Sequence, residues 1–389
     1  MRVLHITPSY YPATYWGGPI FSVYALNNAL ATLPDLELKV LTTDSAGPQV
    51  SDRLNLQGLV GLYLNYEVII SRRIAGASVS VEFLRRLISL IRQSDVVHLT
   101  ATYSFPTIPT LIICRFLRKP LVWSPRGAIL DAYNWEGARK RGLKKVWERV
   151  CNVIIRPGGV TLHVTSEDER HASLSRTPRA EAVIIPNGVE TLPSLPERGW
   201  SPEGRLRLIF MGRLSPKKGV ENLLKTMKLM EEDQSVELTI YGTGDNHYRD
   251  SLIELARDLN LLDKSVNFAG HVDGGDKRNA FLNADMCIIP SYTENFCMVV
   301  AEALAHGVPV VASHGTPWAE VKERDCGLWV DNSPEVLVKA IRTMRSRDLV
   351  DMGRNGWEWM KECYSWDVVS DAMHNVYASL LSEVDVHET

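Results

Sequence analysis

Short apolar runs alternate with longer segments of helical character along nearly the whole chain. That rhythm predicts an α/β protein built on parallel sheets. Runs at residues 2–7 (RVLHIT), 36–42, 95–99 (DVVHL), 120–124 (PLVWS), 160–165 (VTLHVT) and 182–186 (AVIIP) read as strands. The first leads through PSYYPATYWGGP into a helix over about 20–33 and then into the second run, the β-loop-α-β opening of a doubly wound sheet. Residues 191–205 (TLPSLPERGWSPEGR) carry three prolines and two glycines without periodicity and read as a linker. The pattern then restarts, with strands at 206–211, 236–241 and 266–269 and helices at 219–231, 248–259 and 277–283. Two Rossmann-like domains facing across a deep cleft are therefore expected, residues 1–190 and 206–365. The mostly helical tail, about 366–389, is expected to pack back on the first.

Residues 284–313 (ADMCIIPSYTENFCMVVAEALAHGVPVVAS) form the sharpest unit: strand 285–290, polar loop 291–296, helix 297–306 and strand 310–312. Glu294 falls in the loop past the strand's carboxyl end, where open α/β sheets bind ligands. Glu302 follows on a helix that is otherwise apolar (MVVAEALA) and so needs a polar partner. Were the intervening residues fully helical, the two carboxylates would stand about 12 Å apart along the axis, the reach from the sugar to the ribose of a nucleotide sugar. The helix start between them offers backbone amides to a diphosphate. Arg213 and Lys218 also follow a strand end, and cations at a helix start make better sense with an anion between them. Gly17-Gly18 precedes the first helix, where glycine permits close approach of a phosphate, although a plain turn fits equally well. His98 and Tyr103 lie at the end of one first-domain strand, and Arg126 at the end of the next.

Composition narrows the class. The 389 residues are 45% hydrophobic and 23% charged with a formal net charge of -3, so no global field demands nucleic acid. Six cysteines without a C-x-x-C pair suggest reduced thiols. No apolar run approaches a membrane span, and Met1-Arg2-Val3 leads straight into a strand, so a cytoplasmic protein without a signal peptide is expected. Residues 139–149 (RKRGLKKVWER) concentrate six basic charges and one acid, with Trp135 and Trp147 nearby, and read either as a solvated helix face or as a contact for anionic lipid. No D-x-D triplet or zinc-ligand spacing occurs, so no metal is expected.

With Gly17-Gly18, Gly212-Arg213-Leu214, Lys217-Lys218-Gly219 and Glu294-x7-Glu302 in this order, the chain resembles the retaining glycosyltransferases of family 4, which have the GT-B fold. The resemblance runs nearly end to end, through 185–189 (IPNGV), 241–244 (YGTG) and 268–270 (FAG). Ser124-Pro125-Arg126 and Thr316-Pro317-Trp318 look like a bacterial polysaccharide and lipopolysaccharide subgroup. The resemblance implies a nucleoside-diphosphate sugar as co-substrate and no other cofactor. It implies a glycan or lipid-linked acceptor, and peripheral contact with the inner face of a membrane. Arg213 and Lys218 would hold the diphosphate, Glu294 the donor-sugar hydroxyls and Glu302 the ribose. The loop of Asn295 and Phe296 and the amides of Cys297, Met298 and Val299 would cradle phosphate and sugar. His271-Val272 would touch the base, with Gly212, Gly242 and Gly244 beside the donor. Many relatives have glycine where this chain has Asn295 or Cys297, and a side chain there would alter which sugar fits. Arg126 stands in the loop where many relatives have histidine, which suits an anionic acceptor or a lipid-carrier phosphate; His98 is the alternative. A GT-B epimerase, a non-transferring binding protein and an NAD-dependent oxidoreductase are the rivals. Against the last, His247 replaces the third glycine of its fingerprint after Gly242-x-Gly244.

Overall fold

The structure, a computed structural model, describes residues 1–55, 63, 65–130, 141–195, 204–233 and 235–387. The chain divides into two compact units, Met1–Gly188 with the segment from Trp366, and Val189–Ser365. Residues 196–203 of the expected linker lie outside the described residues, as do Trp135, Arg139 and Lys140.

In the first unit seven parallel strands take the order β3-β2-β1-β4-β5-β6-β7: β1 (Arg2–Ile6), β2 (Glu37–Thr43), β3 (Glu67–Ser71), β4 (Val96–Leu99), β5 (Leu121–Trp123), β6 (Val160–Val164) and β7 (Glu181–Ile184). Strand alternation sorts the core into two layers. Leu4 and Ile6 face α2 (Val81–Gln93), α3 (Thr107–Leu117) and α4 (Arg141–Ile154). Val3 faces the opposite layer, with residues of α1 (Gly18–Leu30) and the last helix. Helix α5 (Glu167–Arg176) precedes β7. Gly188 is pressed against Trp366, where that last helix begins; a Cβ there would lie 2.4 Å from the indole.

In the second unit six parallel strands take the order β10-β9-β8-β11-β12-β13: β8 (Leu206–Met211), β9 (Val236–Tyr241), β10 (Val266–Gly270), β11 (Met286–Ile289), β12 (Val310–Ser313) and β13 (Gly327–Val330). Its helices are α6 (Val220–Leu229), α7 (Asn246–Asp258), α8 (Gly274–Leu282), α9 (Met298–Ala305), α10 (Pro334–Arg345) and α11 (Leu349–Cys363), and α12 (Trp366–His387) returns to the first unit. Both sheets are all-parallel with apolar layers on both faces, which is why their strands read as unbroken apolar runs.

Several expectations are corrected in detail. The expected helix 219–231 is a 3-10 turn, Pro216–Lys218, then a left-handed Gly219 and α6. Edge strands β3 and β13 were not expected; EVIIS and GLWV are too short for periodicity to separate from loop.

Candidate active site

In the second sheet β8 has β9 on one side and β11 on the other, so strand order reverses there. The loops after β8 and β11 leave the sheet at this switch point, the default ligand position in an open α/β sheet. Lys218 stands on the first loop and Glu294 on the second. They meet: Lys218 Nζ donates to Glu294 Oε1 at 2.5 Å, and Ser291 Oγ donates to the same oxygen at 2.7 Å. The lysine side chain is 15% exposed and the glutamate 8%, so the pair is largely desolvated yet still reaches the surface.

Backbone locks, more than side chains, hold this geometry. On either side of Lys218, Lys217 O accepts from Tyr292 N at 2.8 Å, and Gly219 sits so close to Pro290 that a Cβ would be 2.2 Å from its carbonyl oxygen. Glu294 N donates to Gly315 O at 2.8 Å, so the loop after β12 holds the glutamate loop from the other side. The loops after β8 and β9 interlock likewise. A Cβ on Gly242, whose φ is 138°, would fall 1.8 Å from Gly212 O, and one on Gly244 would fall 2.0 Å from Leu214 O. These glycines serve the contact of two loops, which removes the reason to read them as a dinucleotide fingerprint. Arg213, exposed, lies on the same carboxyl edge.

Glu302 on α9 receives Lys277 Nζ of α8 at 2.5 Å. Lys277 was not a sequence candidate; only the packing of α8 beside α9 reveals it, together with the requirement that a carboxylate on an apolar helix be paired. The helical estimate of the carboxylate separation does not hold, because α9 starts at Met298 and Cys297 is left-handed at φ 64°. That φ is one which glycine would adopt without steric cost. It also corrects the sugar-selecting role expected for Cys297: the thiol is buried in the core, and burial, then the Glu294 charge, pushes its pKa up to about 12. Phe296 is buried too, against Trp318, whose indole nitrogen donates to Phe296 O at 2.5 Å. Both side chains at 296–297 are thus packed in the core. Met298, Val299 and Asn295 are half-buried. After β10, His271 is exposed with its Nε2 3.7 Å from Asp273 Oδ2, and Val272 packs on the core.

In the first sheet the switch lies between β1 and β4. Gly17, at φ 72°, caps α1, and Gly18 has open space where a Cβ would stand. His98 of β4 is fully buried, which corrects its expected acceptor role: it presents no atom to a ligand. It belongs to a chain of buried hydrogen bonds whose proton order can be derived. His163 Nε2 faces Ile185 O at 3.0 Å and must donate, so His163 Nδ1 accepts from Ser124 Oγ at 2.8 Å. Ser124 then accepts from His98 Nε2 at 2.7 Å, and His98 Nδ1 accepts from Tyr377 OH at 2.6 Å. His5 stacks on His98 at 4.3 Å and bonds Asn27 and Thr100. Burial holds all three imidazoles neutral, with His5 lowered to about 3 and His98 and His163 well below 6.5.

Arg126, left-handed at φ 53°, donates from Nη1 to Asn187, while its Nε and Nη2 are buried with no hydrogen-bond partner. Burial pushes its pKa down to about 10, against the pull of Glu169. Ser166 caps α5, and Glu169 in the first turn of that helix does more. Ser166 Oγ accepts from Glu169 N at 3.2 Å, but the carboxylate bonds Gly127 N and, at 2.8 Å, Thr165 N, fixing the arginine loop. Tyr103 is half-buried, its hydroxyl on Glu148. Among the described residues no cluster of His, Cys, Asp and Glu converges as a metal site, and no helix is long and apolar enough to cross a membrane.

Residues 195–357 match the family model described as glycosyl transferases group 1. An uncharacterised glycosyltransferase of Methanocaldococcus jannaschii is 31% identical over 228 residues, covering 54% of this chain and 57% of that protein. A phosphatidyl-myo-inositol mannosyltransferase of Mycobacterium leprae is 30% identical over 210 residues, covering 52% and 54%. The chain thus spans just over half the length of these curated relatives. In fold it resembles the crystal structure of Anabaena HepE in complex with UDP, with TM-score 0.72, 16% identity, and 97% of this chain and 100% of that one covered.

Proposed function

We propose, for a chain of GT-B fold whose residues 195–357 form a group 1 glycosyl transferase domain, that it is a retaining glycosyltransferase using a nucleoside-diphosphate sugar. The observation that carries this is the desolvated Lys218–Glu294 pair at the switch point of the second sheet. With no anion bound, each charge satisfies the other. An arriving diphosphate competes for Lys218 and Arg213, which leaves Glu294 to accept hydrogen bonds from donor-sugar hydroxyls while Ser291 keeps it in place. Charge building on the departing phosphate is then met by cations already in position, the costliest requirement of the step. The departing phosphate takes the acceptor's proton and the new bond forms on the face the leaving group vacates. Glu302, held by Lys277, takes the ribose, and the backbone at 296–299 lines the phosphate. With two cations at the phosphate, donor binding is proposed to need no divalent ion.

The acceptor is proposed to be a glycan or lipid-linked glycan of bacterial surface-polysaccharide assembly. Arg126 is its anchor on the first domain, since a guanidinium with two unpartnered buried N–H groups suits an anionic acceptor. A reducing, cytoplasmic setting is supported by six free thiols. The group 1 match favours transfer over epimerisation. Anabaena HepE was crystallised with UDP, which puts UDP first among the donors to try. A thermal-shift panel of UDP, GDP, ADP and NAD, with and without magnesium, tests the reading. One nucleoside diphosphate at 100 times its dissociation constant should add about 2.7 kcal/mol, indifferent to magnesium. A response to NAD alone would contradict it.

A further inference from the structure

We propose that the aromatic side chains between β1 and the first turns of α1 form a stacking subsite for a neutral pyranose unit of the acceptor. This subsite rests on the reading of the chain as a transferase acting on a glycan, and names the chemistry that the glycan presents to it.

The sequence sets this stretch apart. Residues 3–34 contain no Asp, Glu, Lys or Arg, in a chain that is 23% charged. Within them, residues 10–24 hold six aromatic side chains, Tyr10, Tyr11, Tyr15, Trp16, Phe21 and Tyr24. The fold then sorts apolar residues by type. Aliphatic ones go inside, with Ile20, Val23 and Leu26 all buried. Rings stay outside: Tyr15 is 56% exposed, Phe21 49% and Trp16 38%. Single exposed apolar residues are ordinary, but three rings on one short stretch, with no exposed Leu, Ile, Val or Met among them, mark a surface for a ligand.

The rings are held in place. Tyr15 and Trp16 belong to a 3-10 turn, Thr14–Trp16, that packs on α1. Ala13 N donates to Tyr10 O and Gly17 N to Thr14 O, both at 2.9 Å, which closes the loop from either end. The Tyr63 hydroxyl donates to Tyr11 O. Tyr11 stacks on Tyr24 at 4.4 Å and lies 5.9 Å from Phe21. Tyr15 and Trp16 meet edge to face, centroids 5.0 Å apart and planes at 84°, so their rings form a right-angled corner. A loop already fixed this way loses little freedom when a ligand stacks on it.

Chemistry selects the occupant. The C–H face of a pyranose carries slight positive charge and is drawn to the negative face of an aromatic ring. An uncharged aromatic surface suits that face and offers an anionic headgroup no cation. Acyl chains would call for exposed aliphatic groups, which this stretch keeps inside. The stretch also follows β1, at the switch point of the first sheet, and Arg126 follows β5 on the same carboxyl edge. Acceptor charge and acceptor ring faces thus have separate partners.

The test is saturation-transfer NMR of the full chain with the neutral disaccharides maltose, cellobiose and lactose. Stacking reads a ring face and not a hydroxyl pattern, so at least one should bind, its C–H-face protons saturated most. Tyr15→Ala/Trp16→Ala should weaken that binding about tenfold, and Trp16→Phe alone should keep most of it. Both variants should keep the wild-type unfolding temperature and nucleotide response. Glu294→Ala should leave the disaccharide signal unchanged, which separates this subsite from sugar held at the donor site. A wild type that binds a disaccharide but no nucleoside diphosphate would lose the donor reading while the saccharide site stands. No response to any disaccharide beside a normal nucleotide response, or binding untouched by the double variant, would overturn the proposal. So would partition into phosphatidylcholine vesicles, or self-association, that the same substitutions abolish.

Discussion

The two sheets reach their switch points with opposite uses of polar residues. In the first, His5, His98 and His163 sit within strands and spend their hydrogen bonds on each other's neighbours: Asn27, Thr100, Ser124, Tyr377 and Ile185 O. In the second, Lys218 and Glu294 sit beyond the strand ends, on loops fastened backbone to backbone through Gly219, Gly242 and Gly315. A polar side chain inside a strand is closed into a structural network, whereas one placed a few residues later, on a locked loop, stays within reach of a ligand. Position relative to the strand end, more than residue type, separates the two.

The largest effect should come from the closed network. Its imidazoles are neutral in the fold, with His5 lowered to about 3 from an ordinary 6.5, and they protonate on unfolding. Folded values below unfolded ones mean that this stability is present above pH 6.5 and lost as pH falls toward 3. Urea denaturation of the first domain should show a loss of up to about 6 kcal/mol between pH 7 and pH 5, and His163→Gln should flatten that slope. A pH-independent midpoint would break the comparison from the structural side.

On the functional side, Glu294→Ala or Lys218→Ala should lower kcat for sugar transfer about 100- to 1,000-fold, with circular dichroism unchanged. Wild-type turnover in either would show that the second edge is as structural as the first. Gly242→Ala forces a Cβ against Gly212 O and should cost about 3 kcal/mol in the denaturation midpoint, together with donor affinity. Glu302→Gln should raise the donor KM about tenfold with kcat nearly unchanged, sharpening the split between the pair that meets the reacting group and the pair that positions the ribose. The smallest effect is Cys297→Gly, which relieves a left-handed φ while removing a buried thiol and should shift stability by less than about 1 kcal/mol.

The same division explains what could be read in advance. The buried parallel strands are legible as apolar runs, and strand-end placement is what singles out Glu294, Arg213 and Lys218 in the sequence. Lys277 was invisible because its pairing with Glu302 spans two helices and follows no spacing rule. The burial of the Cys297 thiol is not legible in the sequence, because the left-handed φ at this position is set by the loop around it and leaves no mark in composition. Gly242 and Gly244 look like a phosphate loop in sequence, and only the approach of Gly212 and Leu214 gives them their packing role. His98 could not be told from a ligand-facing histidine until Tyr377, distant in sequence, was seen to close over it.

Calorimetric titration of the wild type and of Lys218→Ala with UDP, and with GDP should UDP be silent, tests most directly whether the locked second edge holds a diphosphate. The account predicts saturable binding by the wild type and at least about a tenfold weaker dissociation constant for the variant, corresponding to the loss of a charge-assisted contact. Equal affinity in the two proteins would place the diphosphate elsewhere and contradict it.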